Sequence, residues 1–508
     1  MERKCGVLLP VTSLPSKYGI GSFSKEAYEF VDFLAAAGQS YWQILPLGQT
    51  GYGDSPYQSF STFAGNPYFI DIEKLIRAGY LTEKETESIS FGENPEKVDY
   101  ERIYLGRFPL LKRAYENSPF ALKLRNNWAD SCYDGKRKDF DAFVEENKEW
   151  LLDYALYSAV KKENGGRSYI EWPEDIRLRK PEAMRTAQEE LADEIRFYEF
   201  QQYLFAGQWG ELKAYANAKG IQIIGDIPIY VAFDSADTWS HPELFEFDEK
   251  GYPTVVAGCP PDGFSATGQL WGNPIYRWDY HKKTGYQWWI SRIANCFKMY
   301  DIVRIDHFRG FDEYYAIPYG DPTAEFGRWM PGPGMDLFDA IRKTLGRRQI
   351  IAEDLGFITP SVRKLVRKTG YPNMKVLQFA FDAREPGTND YLPHNYGTNC
   401  VVYTGTHDNQ TMRGWYRSVA RRDRLYAKEY IGVRSEKTAA WSFIRAAFMS
   451  VADTCIIPMQ DYLNLGDEAR INQPSTLGGN WQWRMLPGVC TRELAERMKR
   501  LAVLYGRD

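Results

Sequence analysis

Three short apolar runs in this 508-residue chain each end on acids: Val303-Arg304-Ile305-Asp306-His307-Phe308, Ile350-Ile351-Ala352-Glu353-Asp354-Leu355-Gly356 and Thr404-Gly405-Thr406-His407-Asp408-Asn409. If strands of one sheet carry them, Asp306, Glu353 and Asp408 can converge on one pocket. Glycosidic cleavage asks for such a trio, because it passes through an oxocarbenium-like cation. One carboxylate attacks or stabilises the anomeric carbon, and a carboxylic acid protonates the leaving oxygen. In retaining enzymes these two groups stand about 5–5.5 Å apart. A third carboxylate can hold the sugar hydroxyls. Crowding raises the pKa of at least one acid, which keeps a general acid protonated near neutral pH. Arg304 precedes Asp306 by two residues, so both point to the same face of a strand. Its charge favours the ionised Asp306 that a nucleophile requires. For any single segment, ion pairs at a strand end account equally well for the acids. Three such segments, with His307 and His407 beside two of the acids, favour chemistry. Neither histidine has the His-x-x-x-His spacing of a metal site, so neutral imidazole donating to a sugar hydroxyl is the simpler role, and no metal is expected.

The elements that would position these acids are short β-branched runs read as buried parallel strands: Gly6–Val11, Tyr41–Leu47, Ile221–Tyr230, Ile302–Phe308, Ile350–Leu355, Val376–Phe379, Cys400–Thr406 and Cys455–Gln460. Helical patterns lie between many of them. Lys25–Ala37 follows Ser24 as N-cap and stops at Gly38, and Thr359–Thr369 has Pro360 in its first turn. Eight strands alternating with helices predict an α/β fold, a (β/α)8 TIM barrel spanning residues 1–508. Two connections exceed a simple crossover. Residues 48–219, after the second strand, read as an inserted, mainly helical subdomain from about Tyr100 to Lys219. Residues 231–300, after the third, are rich in Gly, Pro, Trp and Phe and read as a loop-like region covering the substrate. Loops at the C-terminal ends of strands are where barrel enzymes build their sites.

Composition narrows the function classes. The net charge of -4 has no basic excess, so no nucleic-acid partner is expected, and nothing reaches transmembrane length. The run after Met1-Glu2-Arg3-Lys4 is too short for a signal peptide, and the seven cysteines (Cys5, Cys132, Cys259, Cys296, Cys400, Cys455 and Cys490) include no Cys-x-x-Cys. Both points favour free thiols and a cytoplasmic location. Aromatic residues make up 15%, with 35 Tyr and 15 Trp, which suits either sugar faces or a large core. No Gly-x-x-x-x-Gly-Lys-Ser/Thr loop occurs and no Gly-x-Gly-x-x-Gly follows a strand, which argues against a nucleotide-dependent sugar transferase; no cofactor is expected.

Along nearly its whole length the chain resembles the amylomaltases, the 4-α-glucanotransferases or disproportionating enzymes of the α-amylase superfamily. The resemblance rests on Gly53-Asp54-Ser55-Pro56-Tyr57-Gln58, Gly225-Asp226-Ile227-Pro228, Pro260-Pro261-Asp262 through Trp271-Gly272-Asn273-Pro274, the three acidic segments, and Asn472-Gln473-Pro474 with Gly479-Asn480-Trp481. It implies Asp306 as nucleophile, Glu353 as general acid/base and Asp408 as transition-state stabiliser. It implies maltooligosaccharides and other α-1,4-glucans as substrates, in contact with Ser55, Tyr57, Asp226, Arg304, His307, His407 and Asn409. A mobile covering loop, Asp262 to Trp271, would bring Phe264, Gln269 and Trp271 to the glucan, with Asn273 following. Family members often carry an aromatic where this chain has Gly263. Phe264 and Trp271 also suit ordinary loop packing, and Trp271-Gly272-Asn273-Pro274 a rigid turn. An amylase-type hydrolase and a non-catalytic glucan-binding barrel are the competing expectations.

Overall fold

The structure is a computed structural model that describes residues 3–51, 53–122, 134–261, 265–356, 358–476 and 478–508. Its strands, in chain order, are β1 Lys4–Leu8, β2 Tyr41–Gln43, β3 Gln222–Pro228, β4 Val255–Cys259, β5 Gln269–Pro274, β6 Ile302–Asp306, β7 Glu313–Pro318, β8 Arg328–Pro331, β9 Ile350–Ala352, β10 Asn373–Val376, β11 Cys400–Tyr403 and β12 Thr454–Pro458. Eight of them form one all-parallel sheet in the order β10-β11-β12-β1-β2-β3-β6-β9. At the remaining seam the Ala352 N–H donates to the Pro372 carbonyl at 3.0 Å, so β9 meets β10 and the ring closes. This is the (β/α)8 barrel expected of alternating strands and helices.

Both faces of the ring are buried, which is why its strands read as continuous apolar runs. Leu8, Ile224, Ile302, Ile351, Met374, Val401 and Ile456 fill the lumen, joined by Val376 and Tyr403. The opposite face, including Val7, Trp42, Ile223, Val303, Ile305, Val402 and Ile457, packs under the surrounding helices. At the start of β1 and β12 the fully buried Arg507 donates to the carbonyls of Phe448, Ser450 and Ala452 at 2.8–3.0 Å. It thereby satisfies backbone acceptors at the end of the barrel opposite the acids.

Helices fill the first long connection: Tyr100–Glu116, Asp134–Glu146, Lys148–Glu163, Pro181–Glu190 and Ala192–Ala218 among them. Leu151, Tyr154, Tyr157, Val160, Tyr169 and Trp172 form a separate apolar core that also takes in Ala236 and Trp239 from the second connection. The expected helix after β1 is Lys25–Ala36, ended by Gly38 in the left-handed region at φ +65°. Ser24 sits at its N-cap without a side-chain cap bond and donates to Glu26 instead. Thr359 does cap the helix Pro360–Thr369, accepting from the Val362 N–H.

Three expectations need correction. The sixth barrel strand is Asn373–Val376, not Val376–Phe379; Leu377–Phe379 is a 3-10 turn. Only Met374 and Val376 of the strand are buried, so its polar alternate residues hid it from a search for apolar runs. Residues 231–300 are not loop-like: they hold β4, β5 and the helices Ala236–Ser240, Trp278–Lys283 and Gln287–Met299. β4 and β5 join β7 and β8 in a four-stranded antiparallel sheet, ordered β5-β4-β7-β8, that no periodicity announced. Trp271-Gly272-Asn273-Pro274 is accordingly the end of strand β5 and not a turn. Finally, the barrel strands stop earlier than the apolar runs do. Val11–Ser13 is a 3-10 turn beyond Pro10, and Met459 already begins a helix. The acids therefore lie at or beyond the strand ends, on the rim.

Candidate active site

Asp306 is the last residue of β6, Glu353 the first after β9, and Asp408 lies in the segment leaving β11. On β6 the alternation that places Ile302 in the lumen also turns Arg304 and Asp306 inward. Arg304, 3% exposed, is the hub. Its Nη1 reaches both oxygens of Asp226 at 2.7 and 2.6 Å, and its Nη2 lies 3.0 Å from Asp306 Oδ1. Asp226 is fully buried on β3 and also accepts from the Tyr57 hydroxyl at 2.8 Å. The preceding residue is Gly225 because a Cβ there would sit 2.2 Å from the Tyr300 ring. The Tyr57 ring stacks on His407 (centroids 5.2 Å apart, 21° between planes), and His407 Nε2 is 3.4 Å from Asp408 Oδ2. An unbroken series of contacts thus runs from Asp306 to Asp408.

Glu353 is held by backbone. Its oxygens accept from the N–H groups of His307 and Leu355, each at 2.7 Å, while its own N–H and carbonyl bond to Ile305 and Phe308. His307 takes up φ +53° to present its N–H, an uncommon conformation for a residue with a Cβ, of the kind that gathers at functional sites. Burial, and then the negative charge of Asp306, push Glu353 up to about 8 against the pull of Arg304 and the two N–H donors. Burial also lifts Asp306 to about 6, although Arg304 opposes it. The guanidinium therefore does not set Asp306 alone, as the two-residue spacing suggested; burial outweighs it. The two acids are thereby pushed apart, with Glu353 held more strongly toward its protonated form than Asp306. Burial and the charge of Arg309 hold His307 down to about 3, so its imidazole is neutral.

The remaining candidates fall into two groups. Trp271 and His307 meet edge to face at 4.8 Å, and Trp271 Nε1 donates to Gln269 Oε1 at 3.2 Å; β5 thus brings both of its residues to the rim beside the acids. Ser55, Asn273 and Asn409 hold the scaffold. Ser55 Oγ accepts from the Tyr57 N–H, and Asn273 is buried, donating to the Val231 carbonyl and pairing amide to amide with Gln58. Asn409 Oδ1 is taken up by the N–H and hydroxyl of Thr406. Asp262, Gly263 and Phe264 lie outside the described residues.

Sequence reasoning missed several residues at the site. Asn472 Nδ2 donates to Asp408 Oδ1 at 2.6 Å, and Arg470 donates to the Asp408 carbonyl. Trp481, itself at φ +64°, packs against both Tyr57 and His407. Asn472 and Trp481 lie in motifs of the sequence, but nothing local ties Asn472 to Asp408, 64 residues earlier, or Trp481 to Tyr57 and His407. Tyr230 lies 6.3 Å from both His307 and Trp271. Among the described residues no group of three or more His, Cys, Asp or Glu is placed to hold a metal ion.

Comparison with known proteins identifies the family. The sequence model of the 4-alpha-glucanotransferase family matches residues 9–490. A 4-alpha-glucanotransferase of Clostridium butyricum is 49% identical over 98% of this chain and 99% of its own, and one of Thermus thermophilus is 47% identical over 99% and 98%. Among solved structures, an amylomaltase of Streptococcus agalactiae in complex with acarbose superposes with a TM-score of 0.95 at 43% identity, covering 100% of both chains. An amylomaltase of Corynebacterium glutamicum shares the fold at 17% identity, with a TM-score of 0.77 over 99% of this chain and 75% of that one. The chain belongs to the 4-alpha-glucanotransferase family.

Proposed function

We propose that the protein moves a segment of an α-1,4-glucan to the 4-hydroxyl of another glucan or of glucose, by a retaining double displacement. The observation that carries this reading is the contact series Asp306–Arg304–Asp226–Tyr57–His407–Asp408, with buried Glu353 within the electrostatic reach of its first member. Asp306 attacks C1 while Glu353 protonates the departing oxygen, leaving a covalent glucosyl-enzyme. Glu353, now a base, takes the proton of the incoming hydroxyl and the bond re-forms. Asp408, its other oxygen fixed by Asn472, grips sugar hydroxyls in the transition state. Tyr57, Arg304, His307 and His407 surround the cleaved glucose, and Gln269, Trp271 and Phe264 contact the rest of the glucan. Ser55, Asp226, Asn273 and Asn409 act through these neighbours, by the bonds described above. The neutral His307 can donate to a hydroxyl without adding charge beside the oxocarbenium.

Transfer rather than hydrolysis is supported by the relatives named 4-alpha-glucanotransferase, which match this chain end to end. Incubation with maltotriose alone is expected to give glucose plus a ladder of longer maltooligosaccharides on chromatography. Reducing ends that rise in step with substrate loss, without a ladder, would mark a hydrolase. The pH profile follows from the two acids. Below about 6 Asp306 takes a proton and loses its nucleophilicity; above about 8 Glu353 loses the proton it must give. A bell-shaped kcat/KM with limbs near these values is expected, and a rate still rising above pH 9 would exclude Glu353 as the acid.

We also propose a reducing, cytoplasmic setting with the barrel as the catalytic unit and residues 48–219 and 231–300 as its insertions. Cys5, Cys296, Cys400, Cys455 and Cys490 are free thiols, and no described helix is long and apolar enough to cross a membrane.

A further inference from the structure

The Asp408 side chain is 42% exposed, against 29% for Asp306, while Glu353 is buried. Packing therefore does less to fix Asp408, and its aim depends on hydrogen bonds and on where its main chain lies. Those bonds come from residues 461–472, which follow β12, the neighbour of β11 in the barrel. Buried Asp461 accepts from the Thr404 hydroxyl at 2.6 Å and from the Met412 N–H at 2.7 Å. Asp467 accepts from the Gln410 amide at 2.6 Å and from the Thr411 N–H at 3.2 Å. The Asn472 N–H donates to the His407 carbonyl at 3.1 Å, and its side chain to Asp408 Oδ1. The segment that carries His407 and Asp408 is thus tied along its length to the segment that leaves the next strand.

Arg470 makes the tie at Asp408 itself. The chain is extended there, at φ -63° and ψ 137°, between buried Ala469 and Ile471, so the Arg470 side chain leaves the core for the adjacent loop. Its Nη2 donates to the Asp408 carbonyl and its Nε to the Asn472 carbonyl, each at 2.8 Å. One guanidinium therefore holds the main chain of both residues that form the Asp408–Asn472 side-chain bond. We propose that Arg470 is a positioning residue for the reaction: by pinning these two carbonyls to each other, it fixes the angle at which the Asp408 carboxylate meets the sugar. The proposal rests on the reading of Asp408 as the group that grips sugar hydroxyls in the transition state. A guanidinium presents its donors in one plane at a fixed separation, whereas a lysine ammonium is a point charge on a flexible stem and cannot hold both carbonyls in that geometry.

Steady-state kinetics of maltotriose disproportionation by the full-length protein test it, with Arg470→Ala, Arg470→Lys, Asn472→Ala, Asp408→Ala and the double variant of Arg470→Ala with Asn472→Ala. A small misplacement of a group that acts in the transition state can cost about 10²-fold, and such a loss falls on kcat and not on KM. Arg470→Ala should lower kcat by that factor with KM close to the parent's. Arg470→Lys, which keeps the charge and most of the side chain, should unfold with the parent yet lose nearly as much kcat. Because Arg470 and Asn472 both act through Asp408, the double variant should lose less than the product of the two single losses. Recovery of the parent rate by lysine, losses that multiply, or a raised KM with kcat unchanged would overturn the proposal and leave Arg470 as loop packing. If Asp408→Ala lowers kcat strongly and Arg470→Ala does not, the proposal alone fails. If Asp408→Ala turns over as the parent does, the reading of Asp408 fails and takes the proposal with it.

Discussion

Asp306→Asn is expected to lower kcat for maltotriose disproportionation by about 10⁴-fold or more, because it removes the atom that forms the covalent intermediate and no neighbouring group is placed to replace it. The substitution keeps the shape of the side chain, and Arg304 keeps its two bonds to Asp226, so the fold and glucan binding should survive. Steady-state kinetics together with a direct glucan-binding measurement separate these effects. Turnover within tenfold of the parent enzyme would remove Asp306 from the mechanism, and with it the assignment of Glu353 as its partner acid. A barrel that only binds glucan predicts no turnover in the parent either, so the same assay addresses that alternative.

The second large effect is on stability. Arg304→Met leaves Asp226, fully buried, with the Tyr57 hydroxyl as its remaining partner. Stranding one member of a buried ion pair costs about 3–5 kcal/mol, whereas replacing both by apolar groups can be nearly neutral. Denaturant unfolding should therefore show a loss of that size for Arg304→Met and a smaller loss for Arg304→Met with Asp226→Leu. Less than about 1 kcal/mol for the single change would mean that the network is not buried as described. The catalytic consequence has a defined sign. Without the cation, ionised Asp306 loses its stabilising charge, its pKa moves further above its ordinary value, and the acid limb of the pH profile shifts to higher pH.

The three acidic segments were legible because each is a short local pattern. A buried parallel strand ending in an acid is a local pattern, and three such patterns on β6, β9 and β11 suffice to suggest one rim. The spacing of Arg304 and Asp306 gave their shared face directly. What it could not give was the balance of forces on Asp306: burial exceeds the pull of the guanidinium, and burial depends on β3, Tyr57 and His407, which arrive from elsewhere in the chain. The helix Pro360–Thr369 was legible because Thr, Pro and Gly mark its ends within a dozen residues. Strand β10 was not, because Asn373 and Lys375 interrupt its apolar residues. The antiparallel sheet of β4, β5, β7 and β8 was missed for a different reason. Its strands come from two separate connections, with β6 between them in sequence, and the Gly, Pro and Trp content of residues 231–300 resembles that of a loop. Asn472 and Trp481 lay in recognised motifs, yet their contacts to Asp408, Tyr57 and His407 are set by the closure of the barrel.

Covalent trapping tests the central claim most directly. Glu353→Gln retains the proposed nucleophile but cannot act as base, so with a maltosyl fluoride, whose leaving group needs little acid assistance, the glycosyl-enzyme should accumulate. Peptide mass spectrometry is expected to place the added sugar on Asp306. Label on Asp408, or inversion at the anomeric carbon with no adduct at all, would contradict the account.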